Sequence, residues 1–448
     1  MMTDDLAERM TRAGMRSAEA ERKAQHFARA AERLRELRGT ESRDVRRWYV
    51  PGRIEVLGKH TDYAGGRSLL CAAERGFCVA ASPRNDAVVR IADAAADLEA
   101  EFPFVADLPS GSGWSAYPMT VARRLARNFP GPLRGMDLAF VSDLPRSAGM
   151  SSSSALMIAT FVALFDINYL EDRDEFAANI HGREELAAYL ACIENGRSFG
   201  TLAGDSGVGT FGGSEDHVAI LCCRAGLLSQ YAFGPIRLER QIALPEDLTF
   251  IIGVSGVAAE KTGAARAAYN RASRAASVIL ELWCAATGRA DASLFEAVAS
   301  DPDAIDRMRL CLGGSESREF RSQALLDRFA HFVFENQIII PSAGDALAKG
   351  EMGKFSGWVE QSQTAAEKLL GNQITETVEL VRLTRKFGAI AASAFGAGFG
   401  GSVWALTRSS DADTFADDWA WSYRQQFPNA AGASEFFATR PGPAILRL

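Results

Sequence analysis

The sequence predicts a mixed α/β protein, α+β in its ordering, built in two domains, and three observations carry that expectation. At 448 residues the chain is long for a single compact core. Its 47% hydrophobic and 23% charged residues are the composition of an ordinary soluble globular protein. Alternating, strand-like segments are interleaved with amphipathic helical ones, but without the regular βαβαβ period of a doubly wound sheet.

Taken in order, residues 17–38 place Phe27, Ala31, Leu34 and Leu37 at helical spacing among many Arg and Glu, so an amphipathic helix dominates an N-terminal extension over residues 1–47. Gly39 to Arg43 ends that helix and links it to a strand at Trp48–Leu57. There Arg53, Glu55 and Leu57 alternate with Ile54 and Val56, the pattern of a short strand with one buried face. Segments at 67–81 and 87–104 read as strands joined by a turn at Pro83-Arg-Asn-Asp. A helix at 115–128, a strand at 136–141, a serine-rich loop with an apolar helix behind it, and a helix at 183–194 follow. The Gly-rich stretch 196–213 leads to strands near 227–233 and 248–255. Helices at 258–287, 320–335 and 374–387 and strands near 389–395 and 402–407 complete the chain.

Composition excludes several function classes. A formal charge of −7 and a pI near 5.5 supply no field that would draw a nucleic acid or an anionic membrane, so the expected ligand is small. The start, with Asp4, Asp5 and Glu8, has no apolar run of a secretory leader, and Ala155 to Phe165 is too short to cross a bilayer. Seven scattered cysteines, none in a Cys-x-x-Cys arrangement, favour reduced thiols and a cytoplasmic protein.

Three stretches carry chemistry. Residues 51–66 run from the strand through Gly58 into Lys59, His60, Asp62 and Tyr63, closed by Gly65-Gly66. Such a density of hydrogen-bonding groups suits a polyhydroxylated ligand, with Asp62 as acceptor and His60 as donor or acceptor, and it equally suits a polar turn. Ala148-Gly-Met-Ser-Ser-Ser-Ser-Ala155 puts small residues at the entry of a helix, where free backbone N–H groups and the helix dipole favour an anion. The serines there serve as caps, phosphate donors or Mg²⁺ ligands. Phe395-Gly-Ala-Gly-Phe-Gly-Gly-Ser402 satisfies the dinucleotide fingerprint in letters only, because a strand and not a helix follows the glycines. No Walker A pattern is present, since Gly353-Lys354 lacks the earlier glycine.

These stretches, in this order, resemble the GHMP kinases, and residues 51–66 resemble the galactokinase sugar-binding signature in Pro51, Gly52, Arg53, Gly58, His60, Thr61, Asp62, Tyr63 and Gly66. Lys59 departs from it, standing where the family has Glu. Pro145, Gly149, Met150 and Ser151 to Ser153 are in register with the family's nucleotide loop, with Ser154 in place of Ala. The third glycine motif resembles the family loop that supports the nucleotide loop. Residues 212–217 fit the frame of the galactokinase catalytic base, with Asp216 as the base, Gly213 as the sugar-contacting glycine and His217 replacing Gln. Tyr269 matches a family tyrosine near the sugar.

The resemblance implies a two-lobed GHMP kinase fold. Its N-terminal domain, over residues 48–225, resembles ribosomal protein S5 domain 2, and its C-terminal domain, over 226–448, is ferredoxin-like. It implies ATP and Mg²⁺ as cofactors and a small-molecule sugar phosphorylated at its anomeric hydroxyl by a monomer or small homo-oligomer. By carry-over, Asp216 and Arg53 are catalytic, with Arg53 lowering the carboxylate pKa and neutralising the transferring group. Lys59, His60, Asp62, Gly213 and Tyr269 bind the sugar; Gly149, Met150, Ser151, Ser152, Ser153 and Ser154 bind ATP; Ser153 and Glu194 serve the metal. Glu194 lies 22 residues before Asp216, roughly ten more than the family spacing. That keeps Asp205 as an alternative base. Lys59 leaves the substrate open: an ammonium cannot accept a hydrogen bond but pairs with a carboxylate, which points to a uronic acid or other anionic sugar, unless Lys59 turns to solvent or to Glu55. A sugar-sensing protein that has lost catalysis is the alternative of another class.

Overall fold

The computed structural model describes residues 3–39, 44–258, 264–315 and 317–448. Part of the expected linker after Gly39, and the start of the helix expected at 258–287, lie outside the described residues.

Among the described residues, twelve strands form a large and a small sheet. They are β1 (Arg46–Leu57), β2 (Arg67–Pro83), β3 (Val88–Asp93), β4 (Leu98–Pro103), β5 (Met136–Ser142), β6 (Leu227–Phe233), β7 (Ile236–Ala243), β8 (Leu248–Val254), β9 (Ala391–Phe395), β10 (Ser402–Arg408), β11 (Glu435–Thr439) and β12 (Leu446–Arg447). The large sheet has eight strands, ordered β12-β1-β2-β5-β3-β4, with β6 and β7 branching from β2. Its long strand β2 makes the branch, pairing with β5 along Phe77–Pro83 and with β6 along Arg67–Leu70. The small sheet is antiparallel, ordered β11-β8-β10-β9.

The expected one-sided burial of β1 is corrected: from Trp48 onward the strand is buried on both faces. Val50, Ile54 and Val79 face the main core, where the Ser152–Ile167 helix lies with hardly an exposed side chain. Tyr49, Cys78, Ala80 and Ala139 face the other way, and the Ser17–Arg38 helix covers them with Phe27, Ala30 and Leu34. The N-terminal extension is thus an outer layer of the large sheet. It also reaches toward the site, because buried Lys23 pairs with Asp143, whose Oδ1 accepts the Gly76 N–H just ahead of the serine loop.

The boundary expected at 225/226 falls inside the large sheet, which continues through β6 and β7. The expected strand at 87–104 is two strands, the hairpin β3–β4, because Ala94 to Asp97 turn the chain with Asp97 at positive φ. The small sheet packs Ile252, Phe250, Trp404 and Leu406 into the main core and Ile251, Val403 and Ala405 against Leu380, Trp419 and Tyr423 of two helices. A third, helical cluster around Ile279, Trp283, Leu325 and Phe329 carries the helices that reach residues 58–67. Among the described residues no helix is long and apolar enough to cross a membrane.

Phe27 is 1% exposed and sits against Tyr49 and Cys78, so Phe27→Ala is expected to cost about 3–5 kcal/mol of stability, read as a lower denaturant midpoint at unchanged slope. An unchanged midpoint would show that the extension is not part of the cooperative fold.

Candidate active site

Two cavities share a wall. The larger, about 530 Å³, is lined by Phe77, Leu98, Trp114, Tyr117 and Phe140 on its apolar side and by Gly149, Ser151, Ser152 and Ser153 on its polar side. The smaller is polar and is lined by Glu55, His60, Asp62, Glu194, Gly212, Gly213, Glu215, His217 and Tyr269. Arg53, Asp216 and Ala397 line both.

The segment 58–67 is held at both ends by one helix, which begins at Ser322 and continues to Ala348. This helix widens to a π turn at Phe334–Ile339, and that turn presents consecutive side chains to the loop. Glu335 Oε1 accepts the Gly58 N–H at 2.9 Å and Asn336 Oδ1 accepts the Arg67 N–H at 2.8 Å. About two turns earlier, Arg328 donates to the His60 carbonyl and to the Tyr63 hydroxyl. No sequence motif marked these residues, although a helix was expected over most of this stretch.

Inside the loop, His60 and Lys59 are turned from the roles expected of them. His60 Nε2 lies 2.9 Å from the Ala397 carbonyl, which can only accept, so this nitrogen carries the proton and Nδ1 accepts from the Tyr63 hydroxyl at 2.9 Å. Burial lowers the His60 pKa to about 4 and keeps the ring neutral. With both nitrogens engaged, His60 lines the small cavity with its ring and ties the loop to the third glycine motif. Lys59 does not line the cavity. Its ammonium is buried, donates to Ser393 Oγ at 2.8 Å and lies 3.4 Å from Ser362 Oγ, whose hydroxyl donates to Glu335 at 2.9 Å. Burial raises the Glu335 pKa and the Lys59 charge opposes that rise.

Asp62 and Gly213 do meet at the cavity. A Cβ at Gly213 would stand 2.4 Å from Asp62 Oδ2, so only glycine lets the two segments approach. The same oxygen accepts the Glu215 N–H at 3.2 Å, and burial raises the Asp62 pKa. Tyr269 completes this side, its ring 5.1 Å from His60 and set edge-on to Tyr63 at 6.1 Å.

Asp216 stands in the first turn of a short helix, Glu215–Cys222, where the sequence left open a turn after glycines. Its Oδ1 is 2.8 Å from Arg53 Nε, and Ser154 Oγ donates to Oδ2 at 3.2 Å. Ser154 Oγ also lies 2.8 Å from Glu194 Oε2, so one hydroxyl joins base and expected metal ligand. Glu194 keeps its place despite the long spacing because the insertion closes on itself: the Val208 N–H returns to the Glu194 carbonyl at 2.9 Å, and Asn195 Nδ2 donates to the Gly212 carbonyl at 3.1 Å. Asp205 lies within that closed loop, buried on Arg123 Nε at 2.7 Å, and lines neither cavity.

On the nucleotide side the expected set divides. Gly149, Ser151, Ser152 and Ser153 line the large cavity, whereas Met150 and Ser154 do not. Met150 is 1% exposed in the core and gives its carbonyl to the Arg53 N–H; Ser154, one turn into the helix, faces inward to Glu194 and Asp216. The third glycine motif supports this loop at van der Waals distance, since a Cβ at Gly396 would lie 2.8 Å from the Gly149 carbonyl oxygen. Trp114 and Tyr117 come from a segment where sequence reasoning found only a helix start.

Glu55 and Glu215 were not expected at the site. Both are buried beside Arg53, with Glu215 Oε1 3.2 Å from Nε and Glu55 Oε2 3.8 Å from Nη2. Burial, then mutual repulsion for Glu215, raises both carboxyl pKa values, that of Glu55 to about 7. A carboxylate two positions from Arg53, between Ile54 and Val56 in the strand, was the available signal for Glu55.

Two outcomes test this geometry. Lys59→Glu, which restores the usual signature residue, should cost about 3 kcal/mol or more in chemical denaturation, and more than Lys59→Met, because it sets a second carboxylate beside Glu335. Imidazole NMR should show His60 as the Nε2–H tautomer with a midpoint near 4 instead of 6.5. Since the folded value is the lower one, the unfolded chain takes the proton first, and this residue's share of stability is whole above pH 6.5 and lost as pH falls toward 4. A midpoint near 6.5 would overturn the assignment.

Comparison with known proteins bears on the same residues. The family model of the galactokinase galactose-binding signature matches residues 34–83, that of the GHMP kinase N-terminal domain 116–212, and that of the GHMP kinase C-terminal region 345–424. The galactokinase of Roseiflexus sp. (strain RS-1) is 30% identical over 380 residues, 84% of this chain and 86% of that protein. That of Chloroflexus aurantiacus is 30% identical over 374 residues, 82% and 85% of the two chains. In fold, the chain is similar to the Lactococcus lactis galactokinase solved with galactose, at a TM-score of 0.76 and 22% identity over 93% of this chain and 98% of that one. The fold is also similar to that of the L. major mevalonate kinase solved with R-mevalonate, at a TM-score of 0.53 and 16% identity over 89% of this chain and 96% of that one. The chain belongs to the galactokinase family of the GHMP kinases and is a sugar kinase.

Proposed function

We propose that the protein transfers the γ-phosphoryl group of ATP to the anomeric hydroxyl of a monosaccharide, giving the sugar 1-phosphate and ADP. The observation that carries this is the shared wall: Arg53 and Asp216 face the large cavity and the small polar one at once. Trp114 and Tyr117 offer the large cavity aromatic faces for a base. The N-terminus of the Ser152–Ile167 helix offers its dipole and N–H groups to the phosphates. Ser151 Oγ, buried without a hydrogen-bond partner, fits a phosphate oxygen.

Asp216, aligned by Arg53 and Ser154, takes the proton of the attacking hydroxyl. Arg53 keeps its charge at all working pH values and stands where negative charge gathers during transfer. Asp62 accepts from hydroxyls farther round the ring, and Gly213 and Tyr269 set the sugar's place. A carboxylate and a serine hydroxyl are the hard oxygen donors that Mg²⁺ takes, and Glu194 and Ser153 would hold it, with the nucleotide's own phosphates completing its shell. When bound, the ion neutralises phosphate charge. The expectation of an anionic sugar rested on Lys59, whose ammonium is held by Ser393 and Ser362. Among the described residues that line the cavity, Glu55, Asp62, Glu194, Glu215 and Asp216 face Arg53 as the one strong cation, so a uronate would meet like charge.

Asp216→Asn should lower kcat by about 10²–10⁴ in an ADP-release assay while sugar binding persists, and ³¹P NMR of the wild-type product should show phosphate on the anomeric carbon. Asp205→Asn should instead lose about 3–5 kcal/mol of stability by stranding Arg123, with kcat close to that of the wild type. The reverse pattern would make Asp205 the base, and full activity in both variants would refute base catalysis by either.

A further inference from the structure

The phosphoryl transfer proposed above uses Asp62, Asp216 and Glu194 but has no task for Glu55 and Glu215, and buried carboxylates without a task are costly. Resting on that reading, we propose that Glu55 and Glu215 form an ammonium subsite and that the sugar this enzyme takes carries a free amino group on the carbon next to its anomeric centre.

Both side chains line the small cavity, at 3% and 4% exposure. Their carboxyl groups adjoin within hydrogen-bonding range, yet Oε1 of each receives no hydrogen bond from the protein. Glu215 Oε2 is already served by Ser68 Oγ at 2.7 Å, and Glu215 Oε1 has only the ion-pair contact with Arg53. Glu55 Oε1 is thus left without a partner and Glu215 Oε1 with Arg53 alone, in two side chains that line the same cavity. An ammonium, with three donors and a unit charge, satisfies both and restores the balance that Arg53 alone cannot. A neutral hydroxyl has one donor and leaves the charge in place.

Position follows from Arg53. Its Nε meets Asp216 Oδ1 at 2.8 Å and Glu215 Oε1 at 3.2 Å, so the subsite borders the base, and the substituent beside the reacting hydroxyl is the one within reach. A metal ion is a poorer occupant, since among the described residues no group of three or more His, Cys, Asp or Glu side chains is arranged to hold one.

The test is steady-state phosphorylation by the full chain, with ATP and Mg²⁺, of 2-amino-2-deoxy-D-galactose and 2-amino-2-deoxy-D-glucose, their N-acetyl derivatives and the parent hexoses, products being assigned by ³¹P NMR. In the wild type, kcat/KM for a hexosamine should exceed that of its parent hexose and of its uncharged N-acetyl form by about 100-fold. In the double variant E55Q/E215Q that ratio should fall to about one, because Gln keeps shape but not charge. The wild-type ratio is decisive on its own, whatever the variant's stability. Turnover of a neutral hexose at C1, equal to or better than its hexosamine, overturns the ammonium subsite and leaves the kinase reading standing; so does a ratio that survives the double substitution. Turnover of none of these sugars overturns both.

Discussion

The guanidinium of Arg53 is where the working parts of this protein meet. It is buried, and its ion pairs join Glu55 on its own strand to Glu215 and Asp216 on a helix 160 positions onward in the chain. It also donates to the Gly149 carbonyl, and its backbone N–H donates to that of Met150, so β1 and the serine loop are tied directly to each other. Removing the cation would leave carboxylates facing one another in a dry wall, a penalty of several kcal/mol with no local remedy. Placement of the base, spacing of the two cavities and geometry of the phosphate loop are thus consequences of one buried charge.

What could be read from the sequence divides along the range of the interactions. The strand at β1 and the Ser17–Arg38 helix are set by periodicity within a few turns and fold where periodicity puts them, while the Ser152–Ile167 helix, apolar on nearly every face, was marked by its apolar run behind the serine loop. The loops containing Gly149, Asp62 and Gly213 were legible because close backbone approach demands small residues, and that demand leaves letters in the sequence. Long-range partnerships leave no such letters. Glu335, Asn336 and Arg328 clamp the sugar loop from about 270 residues away, and each looks like an ordinary polar residue on a helix. Burial of β1 on both faces was illegible for the same reason, since only the tertiary placement of the N-terminal helix covers its second face.

Lys59 shows how a substituted motif position misleads when its neighbours are unknown. In the motif frame an ammonium replaces an acceptor, and a charge-reversed ligand follows naturally. In three dimensions it is matched by Glu335, Ser362 and Ser393, none of which the motif contains. The substitution then belongs to the joint between the lobes. It links the sugar loop to β9 and to the helix at Met352–Ala365, where Gln363 accepts from Ser393 and from the Ala394 N–H.

The sign of the cavity therefore comes from residues outside that position. Among the described lining residues, carboxylates at 55, 62, 194, 215 and 216 surround one arginine, and burial first, with repulsion from neighbouring carboxylates added, lifts Glu55 and Glu215 toward the protonated state. A site so composed has only a few ways to hold its charge: keep a proton on the Glu55–Glu215 pair, or take up positive charge with its ligands. The first costs no ligand but forfeits an acceptor beside the base. The second turns the desolvation penalty into selectivity, because the correct ligand releases it and an uncharged analogue of the same shape does not. On these grounds we assign the acidic wall to substrate choice and the proposed transfer to Asp216, Arg53 and the serine loop.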